Sequence, residues 1–552
     1  MIRGALVLVL LYRAAYQAVY LAVVPFAQAT FSDGALYERA ARDLLAHPPF
    51  GSEPFYLQGA YAYLLAAGLS LGGSMIGGLF AQSALALSAL LAGGWALARA
   101  FGRDAGLLGV LALCAYFPLS FYGNKYLSAS LGVSALMLVW AAFAWYANTQ
   151  GTARAQQLAS LAVGITAAWA ALARPNLVLA IPCAGLAVWL VGRSGRRKHV
   201  LIAALGVLLG LLPMMLRNAA VTGSPSVFPS HGGGTSFYIG NNPHADGRWN
   251  NAGGLLSGQV AHERRELLRA LDLPLRDERT DVAAIGAALY QRAFAYVRAE
   301  PGAFLRLELK KLWLTLGSDE LTQDYDALGE RELMGHVFDW GLPFAFLLSQ
   351  GFMGAVTLAG RRREATNAAW LALLGGQFGA VLLANVLYFT SSQHRLPLAV
   401  IAAAFVGIDL QTLVTRVSRG SAAAPLPPTW AIVLAGALCL QAFIPRETRH
   451  APSIAHYYNL SLVEAQIGNL PGAALALDRA LRRRPEDPVL LIEQAGLMRR
   501  LGQFALALGL LDRVRAKAVL PDWVRGRERI ERALVEQQNT EPFVPPAATA
   551  PG

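Results

Sequence analysis

The chain has 552 residues, of which 55% are hydrophobic and only 15% are charged, and its mean hydropathy is +0.40. Soluble domains usually carry about a quarter charged residues, so this composition excludes a wholly soluble protein. The net charge of +12 does not indicate a nucleic-acid partner, because the basic residues mostly lie in short clusters between apolar runs. The three cysteines lie inside apolar runs without metal-ligand spacing, so neither a disulfide framework nor a metal site is predicted.

Apolar runs of about 20 residues, the length that crosses a hydrocarbon core, recur through residues 1–445 and do not occur later. We therefore predict an all-α membrane domain over 1–445 with about eleven transmembrane helices. The expected spans are 4–26, 75–98, 105–122, 128–147, 157–173, 176–192, 200–216, 340–360, 367–389, 396–414 and 429–445. The first run also resembles a signal peptide ending at Ala27-Gln28-Ala29, but Arg13 in its middle and its full length favour an uncleaved helix.

The basic residues predict the orientation of these spans. With the N-terminus in the cytoplasm, the basic clusters of the short connecting segments lie on the cytoplasmic side, and the short outer turns hold only Lys125, Arg174 and Arg395. An odd number of spans then places the C-terminal tail outside, as in a bacterial inner membrane facing a periplasm. The long polar segments, in which we expect the chemistry, share the outer side: 27–74, 217–302 and 303–338.

Juxtamembrane helices are predicted within these outer segments. SDGALYERAARDLLAHPPF indicates a short helix with Ser32 or Asp33 as N-cap, ended by Pro48-Pro49. Residues 303–316 are too short and too charged to cross, so they predict a helix on the membrane surface or docked in the bundle.

The tail, residues 446–535, repeats with a period of 34 residues, which is typical of tetratricopeptide helical hairpins. Small and apolar residues such as Leu477, Ala480, Ala507 and Leu511 occupy the pattern positions. Such repeats bind protein segments in a concave groove, so the tail is a candidate site for a protein partner. Residues 536–552 are rich in Pro and Ala towards their end and are predicted to be disordered.

Asp33 is the first candidate for chemistry, within the pattern D-G-x-x-Y-x-x-x-A that also contains Tyr37. A carboxylate at the membrane boundary can act as a general base on a hydroxyl group. The alternative is a plain helix N-cap, and the spacing alone does not separate the two.

The stretch from Asp33 through FYLQGAYAYLLAAGLSLGG to SFYGNKYLSASL resembles the first outer loop and following helices of the GT-C glycosyltransferases. It is similar in particular to the bacterial family 39, protein O-mannosyltransferase-like group. The resemblance continues over most of residues 1–415 through ALARPNLVLAIP, GGGTSFYIGNNPHADGRW, EPGAFLRLELKKLW and SSQHRLPL. It implies a GT-C type bundle, a sugar on a polyprenyl phosphate as the donor, no cofactor, and Asp33 as the catalytic base.

Two departures from the family pattern lie in the first outer loop. Many members have Asp-Glu where this chain has Asp33-Gly34, which leaves the second acid unfilled. The usual Pro-rich end of the loop is replaced by Leu57-Gln58-Gly59-Ala60, which predicts a less ordered loop.

A lipid-phosphate donor requires cations near the outer boundary. Arg174 and Arg395 are candidates, although arginines at span ends also snorkel to headgroups. Lys310 and Lys311 have the alternative of binding anionic headgroups, and Lys125 lies at the same level. The full set of candidate substrate-binding residues is Tyr37, Lys125, Arg174, Asn241, Asn242, Lys310, Lys311, His394 and Arg395.

The leading hypothesis is an inverting transfer of a sugar to an acceptor hydroxyl at the outer face. One alternative is a polysaccharide polymerase or ligase that uses polyprenyl-diphosphate glycans. Such proteins usually rely on arginines and histidines of later outer loops, so the position of Asp33 favours the first hypothesis. A second alternative is a transporter or a membrane scaffold that presents the repeat tail. No half-to-half symmetry supports a transporter, and a scaffold leaves the long polar outer segments unexplained.

Overall fold

The computed structural model describes residues 2–149, 152–192, 195–228, 232–252, 255, 260–276, 278–335, 341–419, 427–446, 451–517, 520 and 522–540. Residues 541–552 of the predicted tail lie outside these ranges. In the described part the chain is built of α-helices. The first half contains α1 Ile2–Val23, α2 Ser32–Ala46, α3 Gly59–Gly72, α4 Met75–Phe101, α5 Arg103–Cys114, α6 Phe117–Gly123, α7 Ala129–Asn148, α8 Ala153–Ala173, α9 Ala180–Val191, α10 Arg196–Thr222, α11 Gly232–Gly240 and α12 Val260–Ala270.

The second half continues in the same way. It contains α13 Glu278–Ala299, α14 Pro301–Thr315, α15 Ala327–Met334, α16 Phe344–Gly360, α17 Ala365–Leu387, α18 Ser392–Arg419, α19 Thr429–Ala442, α20 Ile454–Gln466, α21 Leu470–Arg483, α22 Pro488–Arg500, α23 Phe504–Arg515 and α24 Asp522–Thr540. Short 3₁₀ turns at Pro25–Ala27 and Pro175–Leu177 precede α2 and α9.

These helices form two compact units. The membrane unit comprises Met1–Val23, Ser32–Gln323 and Met334–Thr448. The repeat unit comprises Val24–Phe31, Asp324–Leu333 and Arg449–Gly552. The sequence placed this boundary at 445/446, and two further short segments join the repeat unit.

The membrane unit confirms the all-α membrane class. Seven of the described helices are long and apolar enough to cross a membrane, and an eighth span results if α5 and α6 count as one. Shorter apolar helices lie at Gly59–Gly72, Pro175–Val191, Phe344–Gly360 and Thr429–Ala442. The expected number of eleven would require three of these four to cross, and it stays a prediction.

The predicted span 105–122 is not one straight helix. α5 and α6 meet at an angle of 67°. Pro118 in the first turn of α6 explains the break, because proline lacks an amide hydrogen and its ring clashes with the preceding turn. The backbone N–H of Leu342 donates to the Ala115 carbonyl at the break, at 2.6 Å, so this polar group is satisfied inside the bundle.

Small residues allow the spans to pack closely. A Cβ atom on Gly164 of α8 would lie 1.9 Å from the Ala203 carbonyl oxygen of α10, and one on Gly206 would lie 2.3 Å from the Leu161 carbonyl oxygen. Backbones that approach this closely are typical of transmembrane interfaces, where van der Waals packing replaces the hydrophobic effect.

The repeat unit contains two helical hairpins, α20–α21 and α22–α23, followed by α24. The helices of the second hairpin begin 34 residues after those of the first. α20 begins at 454 and α22 at 488, and α21 begins at 470 and α23 at 504. Leu477, Ala480, Ala507 and Leu511, the residues that carried the sequence repeat, are buried in one core. The helical-hairpin architecture agrees with the 34-residue period, and the tetratricopeptide assignment itself stays a prediction. The expectation of disorder from residue 536 is wrong up to Thr540, because α24 continues to that residue.

Two short segments from the first 333 residues complete the repeat unit. Phe31 packs against Phe26 and Tyr325, with ring centroids 4.9 and 4.8 Å apart, and Phe26 contacts His456 at 5.8 Å. The Asp326 carboxylate, which is buried, accepts hydrogen bonds from the backbone N–H of Ser453 at 2.7 Å and of Leu328 at 3.0 Å. The tail is therefore folded around pieces of chain that precede α2 and α16.

We expect Asp326→Ala to destabilise the repeat unit, because it removes two hydrogen bonds to a buried carboxylate, each worth about 1.5–3 kcal/mol. The measurement is the rate of limited trypsin cleavage after Arg483 or Arg499 in purified protein. Glu486→Ala is the matched control, since Glu486 pairs with Arg513 and Lys517 while 61% of its side chain stays exposed. Equal cleavage rates for the two variants would contradict the role given to Asp326.

Candidate functional site

Asp33 lies in the first turn of α2, which begins at Ser32. The expectation that Ser32 or Asp33 caps this helix stays a prediction, and Asp33 lies where a helix dipole favours a negative charge. Ser32 has φ of +47°, a left-handed conformation that is uncommon for residues other than glycine. Such strain is typical of functional sites, where surrounding contacts hold a residue in an unfavourable conformation.

A polar network holds the next turn of α2. The Tyr37 hydroxyl donates to the side-chain oxygen of Gln58, and the Ser128 hydroxyl donates to the same oxygen at 3.2 Å. The Tyr37 ring is buried edge-on against Tyr61, with centroids 4.6 Å apart. α2, the start of α3 and the segment before α7 are thus tied together beside Asp33.

The first loop is ordered by contacts that the sequence did not indicate. Gln58, which we expected to leave the loop less ordered, is the acceptor that joins Tyr37 and Ser128. The Arg217 guanidinium of α10, which is 1% exposed, donates to the carbonyl oxygens of Phe50 (2.8 Å) and Glu53. The Arg217 Cζ atom also lies 3.5 Å from the centre of the Phe55 ring. Side-chain contacts here replace the proline-flanked turn of the family pattern.

Arg174 is the cation that the structure brings into electrostatic range of Asp33. It follows α8, is buried, and interacts with both Asp33 and Tyr37. Its Nη1 donates to the Gln393 carbonyl at 3.0 Å, and its charge also acts on His394. Asp33, Tyr37, Arg174 and His394 therefore form one group drawn from three distant parts of the chain.

Glycine makes room for the Arg174 side chain. A Cβ atom on Gly132 of α7 would lie 2.9 Å from Arg174 Cδ, so the aliphatic part of the arginine packs directly on the helix backbone. Burial lowers the pKa of Arg174, and Tyr37 and Asp33 oppose this effect. Burial, with a further contribution from the Asp33 charge, raises the pKa of the Tyr37 phenol. Arginine pKa values start so high that Arg174 stays cationic at neutral pH, and Tyr37 stays neutral.

Arg395, in contrast, is engaged with protein groups. It is fully buried, donates to the carbonyl oxygens of Gly317 and Asp319, the latter at 2.8 Å, and forms an ion pair with Glu320 at 3.0 Å. These contacts fix the segment after α14 against the start of α18. Arg395 directly follows His394 in the sequence, but the two side chains interact with different groups.

Lys311, Asn241 and Asn242 form a second group. Lys311 Nζ, also fully buried, donates to Glu308 at 2.6 Å and to the Asn241 side-chain oxygen at 2.9 Å. Burial lowers the pKa of Lys311, and Glu308 opposes this effect. The Asn241 amide donates to the Leu387 carbonyl, and the Asn242 amide donates to the Tyr238 carbonyl, each at 2.8 Å. This group joins α11, α14 and the end of α17.

The two remaining lysines differ in exposure. Lys310 is exposed on α14. Lys125 is fully buried, with Nζ 4.0 Å from the centre of the Tyr20 ring and 4.2 Å from that of Phe121. Contacts of this kind are cation–π interactions, which stabilise a desolvated ammonium group.

Sequence reasoning missed Gln58, Tyr122 and Glu320. Tyr122 is a buried phenol in the neighbourhood of both Arg174 and Arg395. Glu320 is the ion-pair partner of Arg395. Each lies in a segment of otherwise ordinary composition, and no spacing rule connects it to a residue far away in the chain. Within the described residues, no group of three or more His, Cys, Asp or Glu side chains is placed to hold a metal ion.

No protein-family model matches the chain, and no curated protein matches it in sequence. Solved structures do resemble it. ArnT from Cupriavidus metallidurans in the apo state has 15% sequence identity and a TM-score of 0.41, over 97% of this chain and 78% of ArnT. The same protein bound to undecaprenyl phosphate gives 15% and 0.41, over 96% and 77%.

An oligosaccharyltransferase of Archaeoglobus fulgidus, tethered with an acceptor peptide, has 12% identity and a TM-score of 0.38, over 83% of this chain. The chain spans 55% of the length of that protein. Structural similarity with TM-scores below 0.5 at this identity supports no functional argument. The function is therefore argued from the residues of the site.

We expect Arg217→Ala to destabilise the membrane unit by about 2 kcal/mol, because two backbone carbonyls and the Phe55 ring lose their charged partner, and hydrogen bonds to charged groups contribute about 1.5–3 kcal/mol. Thermal unfolding followed by tryptophan fluorescence in detergent measures the effect. Arg39→Ala is the control, since its ion pair with Glu53 is exposed (70% and 48% of the side chains) and such pairs contribute about 0–1 kcal/mol. A melting temperature lowered equally by both substitutions would exclude the role of Arg217 in ordering the loop.

Proposed function

We propose that this protein transfers a sugar from a polyprenyl-phosphate donor to an acceptor hydroxyl, with inversion, at the outer face of a bacterial cytoplasmic membrane. The observation that carries the proposal is that the buried Arg174 guanidinium lies within electrostatic range of Asp33 and of Tyr37, one turn along α2 from Asp33. A general base and a cation that receives a phosphate leaving group are the two groups that such a transfer requires.

In the proposed reaction, the Asp33 carboxylate removes the proton from the acceptor hydroxyl. The acceptor oxygen forms a bond to the anomeric carbon while the bond from that carbon to the phosphate oxygen breaks. The leaving polyprenyl phosphate takes the electron pair, and Arg174 stabilises its developing charge through the N–H groups that do not contact Gln393. Neither a metal ion nor another cofactor takes part.

The other candidate residues are assigned according to their contacts. Tyr37 orients the turn that carries Asp33, since its hydroxyl is directed at Gln58. Arg395 and Lys311 act as positioning residues, because Glu320 and Glu308 already neutralise them. Lys310 is exposed, and we assign it to contacts with the donor or with the lipid headgroups. The repeat unit, with its helical hairpins, is proposed to bind a protein partner outside the membrane.

We expect Asp33→Asn to reduce transfer by about 10²–10⁴-fold, since an amide cannot accept the proton. The assay follows radiolabel from polyprenyl-phosphate sugars into the acceptor fraction of bacterial envelopes, using purified protein. Glu38→Gln, one turn further along α2 and paired with the solvent-facing Arg42, is the control and should retain activity. Full turnover in a folded Asp33→Asn variant would overturn the assignment of the base.

Arg174→Gln should lower kcat/KM for the donor by about 10²-fold, because a charge at the leaving phosphate is lost. Arg174→Lys keeps the charge and should retain part of the activity. Arg154→Gln, at the opposite exposed end of α8, is the matched control. The same kinetics are run with polyprenyl-diphosphate glycans, and a preference for these would favour the polymerase or ligase alternative.

A further inference from the structure

A cavity with a mixed polar and apolar lining lies between α16, α18 and α19 at the end of the bundle away from Arg174. Its volume is about 480 Å³, in the range of small-molecule and cofactor sites. Arg416 follows Arg395 by 21 residues (416 − 395) in the same helix, which corresponds to about 32 Å along the axis. This is close to the thickness of a hydrocarbon core, so the two arginines lie near opposite boundaries of the membrane.

One wall of the cavity is a polar stripe on α18. Asp409, Thr412 and Arg416 line it, and their spacing of three and four residues places them on one face of the helix. Asp409 and Thr412 are each 7% exposed. Buried carboxylates inside transmembrane helices are rare and are usually retained for a function.

Two arginines lie at the mouth of this stripe. Arg361, at the end of α16, donates through Nη2 to the Thr412 hydroxyl at 3.3 Å, which directs its guanidinium over the cavity. Arg416 also lines the cavity, two helical turns along α18 from Asp409. A guanidinium has five N–H donors in a fixed planar fork, which suits it to an anionic group with several oxygen atoms.

The opposite wall is apolar. Met353 of α16 and Ile432, Ala435 and Gly436 of α19 line it. Met353 and Ala435 are buried, whereas Ile432 is 52% exposed on the outer surface of the bundle. An anionic group at two arginines, next to an apolar surface open to lipid, is the chemistry of a phospholipid headgroup and the start of its acyl chains.

We propose that this cavity binds an anionic glycerophospholipid of the leaflet opposite to Asp33, with its phosphate between Arg361 and Arg416. The glycerol-ester region then lies towards Thr412, and the acyl chains follow Met353, Ala435 and Ile432. The site is separate from the proposed transfer site and does not depend on it.

The test is native mass spectrometry of the full chain released from vesicles of phosphatidylglycerol and phosphatidylethanolamine in equal amounts. Wild-type protein should retain phosphatidylglycerol, and Arg361→Ala/Arg416→Ala should lower the lipid-bound fraction at least fivefold. Arg362→Ala/Arg363→Ala is the charge-matched control, since both residues are exposed and neither lines the cavity. Equal retention by all three proteins, or equal loss in the two variants, would overturn the proposal.

A second pair of variants leaves the charge unchanged. Gly436 lines the cavity, and a Cβ atom there meets no other atom within 4 Å, so Gly436→Leu fills the cavity without a backbone clash. It should lower lipid retention as the arginine variant does, even if that variant folds poorly. Gly379→Leu on α17 has the same open surroundings, does not line the cavity, and should retain lipid.

Competition arms identify the source of the phosphate. Phosphatidylethanolamine retained as well as phosphatidylglycerol would exclude an anionic headgroup as the ligand. Displacement of phosphatidylglycerol by equimolar polyprenyl phosphate, or by inorganic phosphate, would assign the cavity to a carrier lipid or a free anion and overturn the proposal. Retention that resists both competitors and is lost in the arginine and Gly436 variants supports it.

Discussion

The structure of the membrane unit depends on how it accommodates buried cations near one end of the bundle. Charged side chains are costly to bury unless they are paired or hydrogen-bonded. Arg217 and Arg395 donate to backbone carbonyls of loops, at Phe50 and Gly317, and Arg174 donates to the carbonyl of Gln393 in the first turn of α18. The buried cations therefore hold polar loops in place, although these loops have little apolar surface of their own to bury. The loops in turn form the candidate site.

This constraint distinguishes the cations from one another. Glu320 neutralises Arg395 and Glu308 neutralises Lys311, so the positive charge of both residues is compensated within the protein. Arg174 shares its environment with Asp33, and one of its N–H groups contacts a backbone carbonyl rather than a carboxylate. A substrate phosphate is attracted most where positive charge is least compensated, which is the physical reason for assigning Arg174 to the donor.

The backbone directly before Asp33 carries a local constraint of its own. Ser32, the first residue of α2, has a φ of +47°, in the left-handed region that residues other than glycine rarely adopt. Such a conformation costs free energy and persists only where surrounding contacts hold it, which restricts the turn that carries Asp33.

The sequence by itself determined the membrane class, most of the spans, the helical repeat and the interest of Asp33, because hydropathy, period and charge act locally and need no knowledge of partners. Tertiary structure alone decided that Arg174 lies near Asp33, that Gln58 orders the first loop, and that Asp409 lies in a cavity. These outcomes depend on residues tens or hundreds of positions apart, whose contacts follow from packing and from the pairing of buried charge.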